Sequence, residues 1–191
     1  MSDPFAFLTG DAVNVAPRLL GCILVRELED GTRMSGRIVE TEAYHQSDAA
    51  SHSYKGKTPR TEIMFGPSGM AYVYFTYGMH YCVNVVTGPA GEGSAVLIRA
   101  IEPVDGINSM RANRGGLETG QLTNGPAKLC QALHIDKQFN GHDLHKLPLQ
   151  LHIQPPISAN SIVTTTRIGI TKDAHRPWRF YESDNPFVSK L

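Results

Sequence analysis

Residues 72–84 read Tyr-Val-Tyr-Phe-Thr-Tyr-Gly-Met-His-Tyr-Cys-Val-Asn, two β-branched and aromatic runs that meet at Gly78. Such runs around a glycine predict a β-hairpin. Side chains alternate between faces along a strand, so Tyr72, Tyr74 and Thr76 share one face while Val73, Phe75 and Tyr77 share the other. The turn then leaves Tyr77, Met79 and His80, three bulky groups, at or near the tip. Small polar residues usually occupy such tips, because a large ring left in water forfeits its burial energy. Two readings stay open on these residues alone. The run is a packed aromatic core hairpin, or its tip is a wedge buried by something else, such as a stack of bases pried apart at one step.

Outward from the hairpin, the pattern is mainly of strands joined by turns. Residues 22–29 and 36–44 read as strands separated by Glu29-Asp30-Gly31, and 94–101 as another. Asp11 is a suitable N-cap for a short helix over 12–20 that Gly21 ends. A second helix is expected over 102–114, stopped by Gly115-Gly116. A third follows Pro126, a residue favoured at a first helical position, and runs to about residue 134. Residues 46–59 form a loop of small and polar residues, 136–161 look irregular, and 163–170 read as a last strand. No repeat or low-complexity segment interrupts the chain, so residues 1–191 are expected to form one domain. The class is α+β: a compact domain with a curved antiparallel sheet, flanking helices and a protruding hairpin.

Composition narrows the function classes. Net charge is zero over 191 residues, which argues against strong non-specific attraction to a polyanion. Basic residues nevertheless cluster locally: Lys55, Lys57 and Arg60 around Thr58-Pro59, Arg111 with Arg114, and Arg176 with Arg179 about Trp178. No apolar run approaches the length of a membrane span, and the N-terminus lacks the pattern of a secretory signal. Cys22, Cys82 and Cys130 lie far apart in apolar segments, as buried reduced thiols of a cytosolic protein do. The eight histidines lack metal spacing: no HExxH occurs, and no HxE with PCxxC, so neither a metal nor a cofactor is expected.

Charges inside predicted strands carry the chemistry. In Ile38-Val39-Glu40-Thr41-Glu42-Ala43-Tyr44, alternation sets Glu40, Glu42 and Tyr44 on one face. In Val96-Leu97-Ile98-Arg99-Ala100, one arginine interrupts a run that otherwise reads as buried. Buried charges persist when they are paired or used. The pair is thus either a structural salt bridge, or a carboxylate general base with a guanidinium that orients it or holds a phosphate. The helix opening at Gly125-Pro126, with Lys128 in its first turn, offers a phosphate a positive end.

Taken together, these blocks resemble the alkyladenine (3-methyladenine) DNA glycosylases, monofunctional enzymes of purine base-excision repair. The resemblance rests on residues 38–44, Ala50-Ser51-His52-Ser53, Thr58-Pro59-Arg60, Met64-Phe65, the hairpin with Asn84, Leu97-Ile98-Arg99-Ala100-Ile101-Glu102-Pro103, and residues 124–133. It extends from Leu19-Leu20-Gly21 to Arg179-Phe180-Tyr181, nearly the whole chain. It implies a monomer that binds double-stranded DNA on the minor-groove side and flips one damaged purine out. By the same resemblance Glu42 is the general base for water and Arg99 helps place that water. Tyr44 and Tyr74 sandwich the base, with His52, Asn84 and Leu97 completing the pocket, and Asn84 crowds the amino group of a normal guanine. Tyr77 is the intercalating wedge with Met79 beside it. Thr58, Arg60, Arg114 and Lys128 are candidates for backbone contacts.

Two departures and two rivals belong beside that reading. Family members are commonly basic, whereas this chain is neutral, so modest affinity and a shallow salt dependence are expected. No recognised lysine nucleophile is present, so no strand-cleaving lyase activity is expected. One rival is a non-catalytic lesion- or nucleic-acid-binding module that keeps the wedge. The other is a hydrolase or transferase acting on a small nucleoside or carbonyl substrate, which has no use for Tyr77.

Overall fold

A computed structural model describes residues 3–76 and 78–189. One strand organises it. Strand β2, Arg33–His45, is 13 residues long, beyond the usual 3–10 or so. Along one edge it pairs with β5, Ser94–Asp105. The other edge is shared, first by β1 (Ile23–Glu27) through residues 33–37, then by β8 (Arg179–Glu182) through Glu40, Thr41 and Glu42. Three register shifts against β5, between Ser35 and Thr41, bend the strand between those partners. Bulges do this because the extra residue leaves the ladder and sharpens the local twist.

The remaining strands extend the sheet on both sides. β3 (Ala71–Thr76) and β4 (His80–Val86) form the predicted hairpin, and β4 pairs with β5. On the far side β1 pairs with β6, Leu149–His152. β7, Ile162–Thr165, pairs with β8. All pairs are antiparallel, in the order β3-β4-β5-β2-β1-β6, with β8 branching from β2. The fold is the α+β class expected. Helix α1 (Ala12–Val15) continues as a 3₁₀ turn over Ala16–Leu19, and the Asp11 carboxylate caps it by accepting from the Val13 N–H at 2.7 Å. Helices α2 (Ile107–Asn113) and α3 (Pro126–Ala132) pack against each other. The core gathers α1, α3 and the inner sheet face, and Cys22, Cys82 and Cys130 are buried free thiols.

Three expectations about elements need correction, and one strand was missed. The helix expected over 102–114 begins only at Ile107, because β5 runs on to Asp105 and pairs Glu102, Pro103 and Asp105 with β2. Gly106 makes the switch at φ 70°, where an added Cβ would sit 2.4 Å from the Arg33 carbonyl oxygen, so only glycine fits. Residues 136–161 are not wholly irregular, since Leu149 and Leu151 point into the core from β6. The strand expected over 163–170 stops at Thr165, and the chain then turns away, with Gly169 at φ 76°. Strand β8 went unanticipated, because its charged ends mask a short apolar middle. Among the described residues, no helix is long and apolar enough to cross a membrane.

Candidate active site

Where β2, β3, β4 and β5 run side by side, their exposed face floors a cavity of about 420 Å³, within the roughly 300–1,000 Å³ typical of small-ligand sites. Tyr72, Tyr74 and Thr76, the face set by alternation in the hairpin, all line it. Their neighbours Cys82 and Asn84 come from β4, Leu97 and Arg99 from β5, and Tyr44 from the end of β2. The 3₁₀ turn His52–Lys55 brings His52 to the rim, and Ile168, Gly169 and Ile170 close another wall. The five residues expected to form a pocket, Tyr44, His52, Tyr74, Asn84 and Leu97, thus converge, together with Arg99.

Apart from the Arg99 guanidinium, the lining is largely aromatic and apolar. The His52 ring meets Tyr74 edge-on at 4.6 Å between centroids and Nδ1 lies 3.0 Å from the Tyr72 hydroxyl. Burial among these rings, then the positive charge of Arg60, lowers the His52 pKa to about 4, so the imidazole is neutral at physiological pH. Burial also pushes the Tyr74 hydroxyl up, with Cys82 beside it adding to the effect. Tyr44 is raised well above the ordinary tyrosine value, first by burial and then by the neighbouring Glu42 charge. Asn84 donates its amide to the Tyr72 carbonyl at 2.9 Å, which holds its orientation.

Charge lies immediately behind that lining. Glu42 is fully buried. Its Oε2 accepts the Tyr44 hydroxyl at 2.8 Å and lies 3.3 Å from an Arg99 guanidinium nitrogen, and its Oε1 accepts the Ile168 N–H at 2.7 Å. All three partners line the cavity, so the carboxylate is one residue's thickness from it. Arg99 also donates Nε to Glu40 Oε1 at 3.1 Å. Burial disfavours the Arg99 charge, but Glu42 and Glu40 more than offset that and leave its pKa raised. The alternation argument for Glu40 and Glu42 therefore holds across the bulges: one guanidinium reaches both.

A second buried pair supports Tyr44 from behind. Arg167 and Asp48 are fully buried and bonded through both guanidinium NH groups, one at 3.0 Å. The same guanidinium stacks 4.7 Å from the Tyr44 ring centroid and 5.1 Å from that of Trp178. Sequence reading missed this pair, as it missed Tyr72, Cys82 and the wall at 168–170. A lone arginine within the otherwise uncharged stretch 162–170 was the available signal, a weaker form of the one that marked Arg99.

The expected DNA-facing residues are more scattered. Arg60 lies at the rim, 5.9 Å from the Tyr74 ring centroid. Thr58 is exposed in the adjoining loop, where its hydroxyl bonds Thr61 at 3.0 Å. Lys128 reaches the Asn124 side chain at 2.8 Å in the first turn of α3, the helix whose Pro126 touches the cavity. Arg114, at the end of α2, bonds Gln131 on α3. Met79 is 70 % exposed at the hairpin tip and, with His80 and Tyr81, lines a separate cleft of about 310 Å³ against α3. Tyr77, the expected wedge, lies outside the described residues.

An aromatic cavity backed by a buried carboxylate–guanidinium cluster on a bent antiparallel sheet can hold a flat ring beside a carboxylate, and comparison with known proteins gives the family. The family described as Methylpurine-DNA glycosylase (MPG) matches residues 6–186. The chain belongs to that family, whose members are hydrolases acting on DNA. A protein of Carboxydothermus hydrogenoformans named "Putative 3-methyladenine DNA glycosylase" is 54 % identical over 98 % of both chains. Proteins with the same name from Methanoculleus marisnigri and Francisella tularensis are 51 % and 45 % identical over the full length of each chain.

Proposed function

We propose that this protein is a DNA-repair N-glycosylase that removes alkylated or deaminated purines from duplex DNA and leaves an abasic site. The observation that carries the reading is the Glu42 carboxylate, fully buried yet held entirely by groups that line an aromatic cavity. On this reading the protein acts as a monomer on the minor-groove side and turns the damaged nucleotide into the cavity. Tyr44 and Tyr74 stack on the flipped base, a contact worth roughly 1–3 kcal/mol. That is comparable to the few kcal/mol needed to unstack a damaged base. Tyr77 and Met79 fill the gap left in the stack. His52 and Asn84 read the purine edge, with Asn84 crowding the amino group of normal guanine. Thr58, Arg60, Arg114 and Lys128 hold phosphates.

Water bound beside Glu42 and Arg99 attacks the sugar C1′. A new C1′–O bond forms, the glycosidic bond breaks, its electron pair leaves with the base, and the water's proton passes to Glu42. The sugar becomes oxocarbenium-like on the way, so the same carboxylate stabilises developing positive charge. A cationic 3-methyladenine or 7-methylguanine departs as a neutral base and needs no proton of its own. No lysine serves as nucleophile, so the phosphodiester backbone stays intact.

The test is a set of duplexes, each with one lesion, incubated with the protein and then treated with alkali. Breaks at the lesion are expected with the native protein, and about 10²–10⁴-fold slower breaks with Glu42→Gln. Unchanged base release by that variant would overturn the role of Glu42, and no release by the native protein would favour the binding module. A borohydride-trapped covalent adduct would overturn the absence of lyase chemistry.

A further inference from the structure

We infer that Glu40 is a positioning residue for base excision: with Arg179 and the main chain at Ser189, it fixes Arg99 and balances the charge behind the sugar site. The inference rests on the proposed role of Glu42. Glu40 is fully buried and touches none of Tyr44, Ile168 or the cavity. Its Oε1 accepts Arg99 Nε at 3.1 Å, Arg179 Nε at 2.7 Å and the Ser189 hydroxyl at 3.0 Å. Its Oε2 accepts the Ser189 N–H at 2.7 Å. The Ser189 hydroxyl also lies 3.4 Å from an Arg99 terminal nitrogen. These contacts draw on four separate stretches of chain: β2, β5, β8 and the segment after Val188, which is itself packed down. A salt bridge needed only to join two strands would require one of them.

Two consequences follow from this geometry. Arg99 uses Nε on Glu40, so its planar fork is oriented and one terminal nitrogen is turned toward Glu42 at 3.3 Å. A guanidinium held by a single carboxylate could swing between partners. The second consequence is electrostatic. Glu40 and Glu42 both face the Arg99 guanidinium, and Arg179 also reaches Glu40. The nearby hydroxyls of Tyr44 and Tyr74 and the Cys82 thiol are held protonated, since burial raises each. Arg167 is balanced by its own Asp48. Neutralising Glu40 would remove a negative charge from behind a sugar that must itself become positive.

Glu40→Gln keeps the shape and an acceptor oxygen but removes the charge. The substrate is a duplex with one 7-methylguanine, whose departure needs no acid. Single-turnover excision is expected to fall about ten- to a hundredfold. Binding to a duplex bearing a stable abasic analogue should be unchanged, so that the loss falls on the chemical step alone. A folded variant with the native rate, or a slower one that also binds the analogue more weakly, overturns the inference. Should Glu40→Gln fail to melt cooperatively, Ser189→Ala removes only the hydroxyl shared by Glu40 Oε1 and Arg99 and leaves the N–H to Glu40 in place. A severalfold loss of rate at unchanged binding then supports the role, and a native rate overturns it. Glu42→Gln measured alongside separates the two readings: native activity there removes the premise, whatever Glu40→Gln does.

Discussion

Two buried arginine systems stand within a few residues of each other in this fold, and they differ in what they leave open. Arg167 closes on Asp48 with both terminal nitrogens, which also donate to the carbonyl oxygens of Ala43 and Asp173, while its buried Nε has no hydrogen-bond partner among the described residues. The rings of Tyr44 and Trp178 lie against the same guanidinium. Arg99 is instead divided between two carboxylates and remains part of a cavity wall. Burial alone therefore does not mark a catalytic charge. A closed pair over-determines a wall, whereas a shared one beside open space keeps a carboxylate within reach of substrate.

The sharpest way to break this contrast is to cut both systems. Glu42→Gln is expected to lower excision by about 10²–10⁴-fold with the thermal midpoint close to native, read by single-turnover assay and calorimetry. Arg167→Met should do the opposite. It strands a buried Asp48 charge and should cost about 3–5 kcal/mol of stability, measured by urea unfolding, with activity lost in proportion to the unfolded fraction. A stable but inactive Arg167→Met protein would erase the distinction. Tyr74→Ala comes next. Loss of a stacking partner should weaken binding to lesion duplex by about 1–3 kcal/mol, with little change toward undamaged DNA.

A pH experiment sharpens the picture of the aromatic wall. With its pKa near 4, His52 stays neutral at pH 5–8 and contributes no limb to the excision profile there, so His52→Gln should leave the profile's shape unchanged. Its effect appears in stability. Between pH 6.5 and 4 the unfolded imidazole binds a proton that the folded one does not. The native protein should thus lose stability over that window as pH falls, and His52→Gln should lose less, as followed by thermal melts. The smallest effect is at the surface: Lys128→Ala should reduce the slope of log K against log salt by about 0.9 if it holds one phosphate.

Much of the site was legible because strands alternate. Tyr72, Tyr74 and Thr76 shared a face in the sequence and share a cavity in the fold, while Phe75 on the other face pairs with Tyr81 at 5.1 Å. Arg99 stood out as one charge in an apolar run. Arg167 and Arg179 carried the same mark less clearly, within shorter apolar neighbourhoods. The end of β5 misled, since Glu102–Arg114 has helical composition, yet ladder pairing with β2 holds Glu102, Pro103 and Asp105 extended.

By itself the sequence determined the class of fold, the hairpin, the faces of its strands and the residues from which a site could be drawn. Those properties depend on local periodicity, turn chemistry and single misplaced charges, all of which act over a few residues. Only the tertiary structure decided that one guanidinium serves both Glu40 and Glu42, that Ile168 supplies the N–H on Glu42, and that Ser189 closes the cluster. These contacts join residues from about 60 to nearly 150 positions apart, and no local signal orders such pairs. The bulges in β2 and its change of partner from β1 to β8 set them, because they bring the four segments to one end of the cavity.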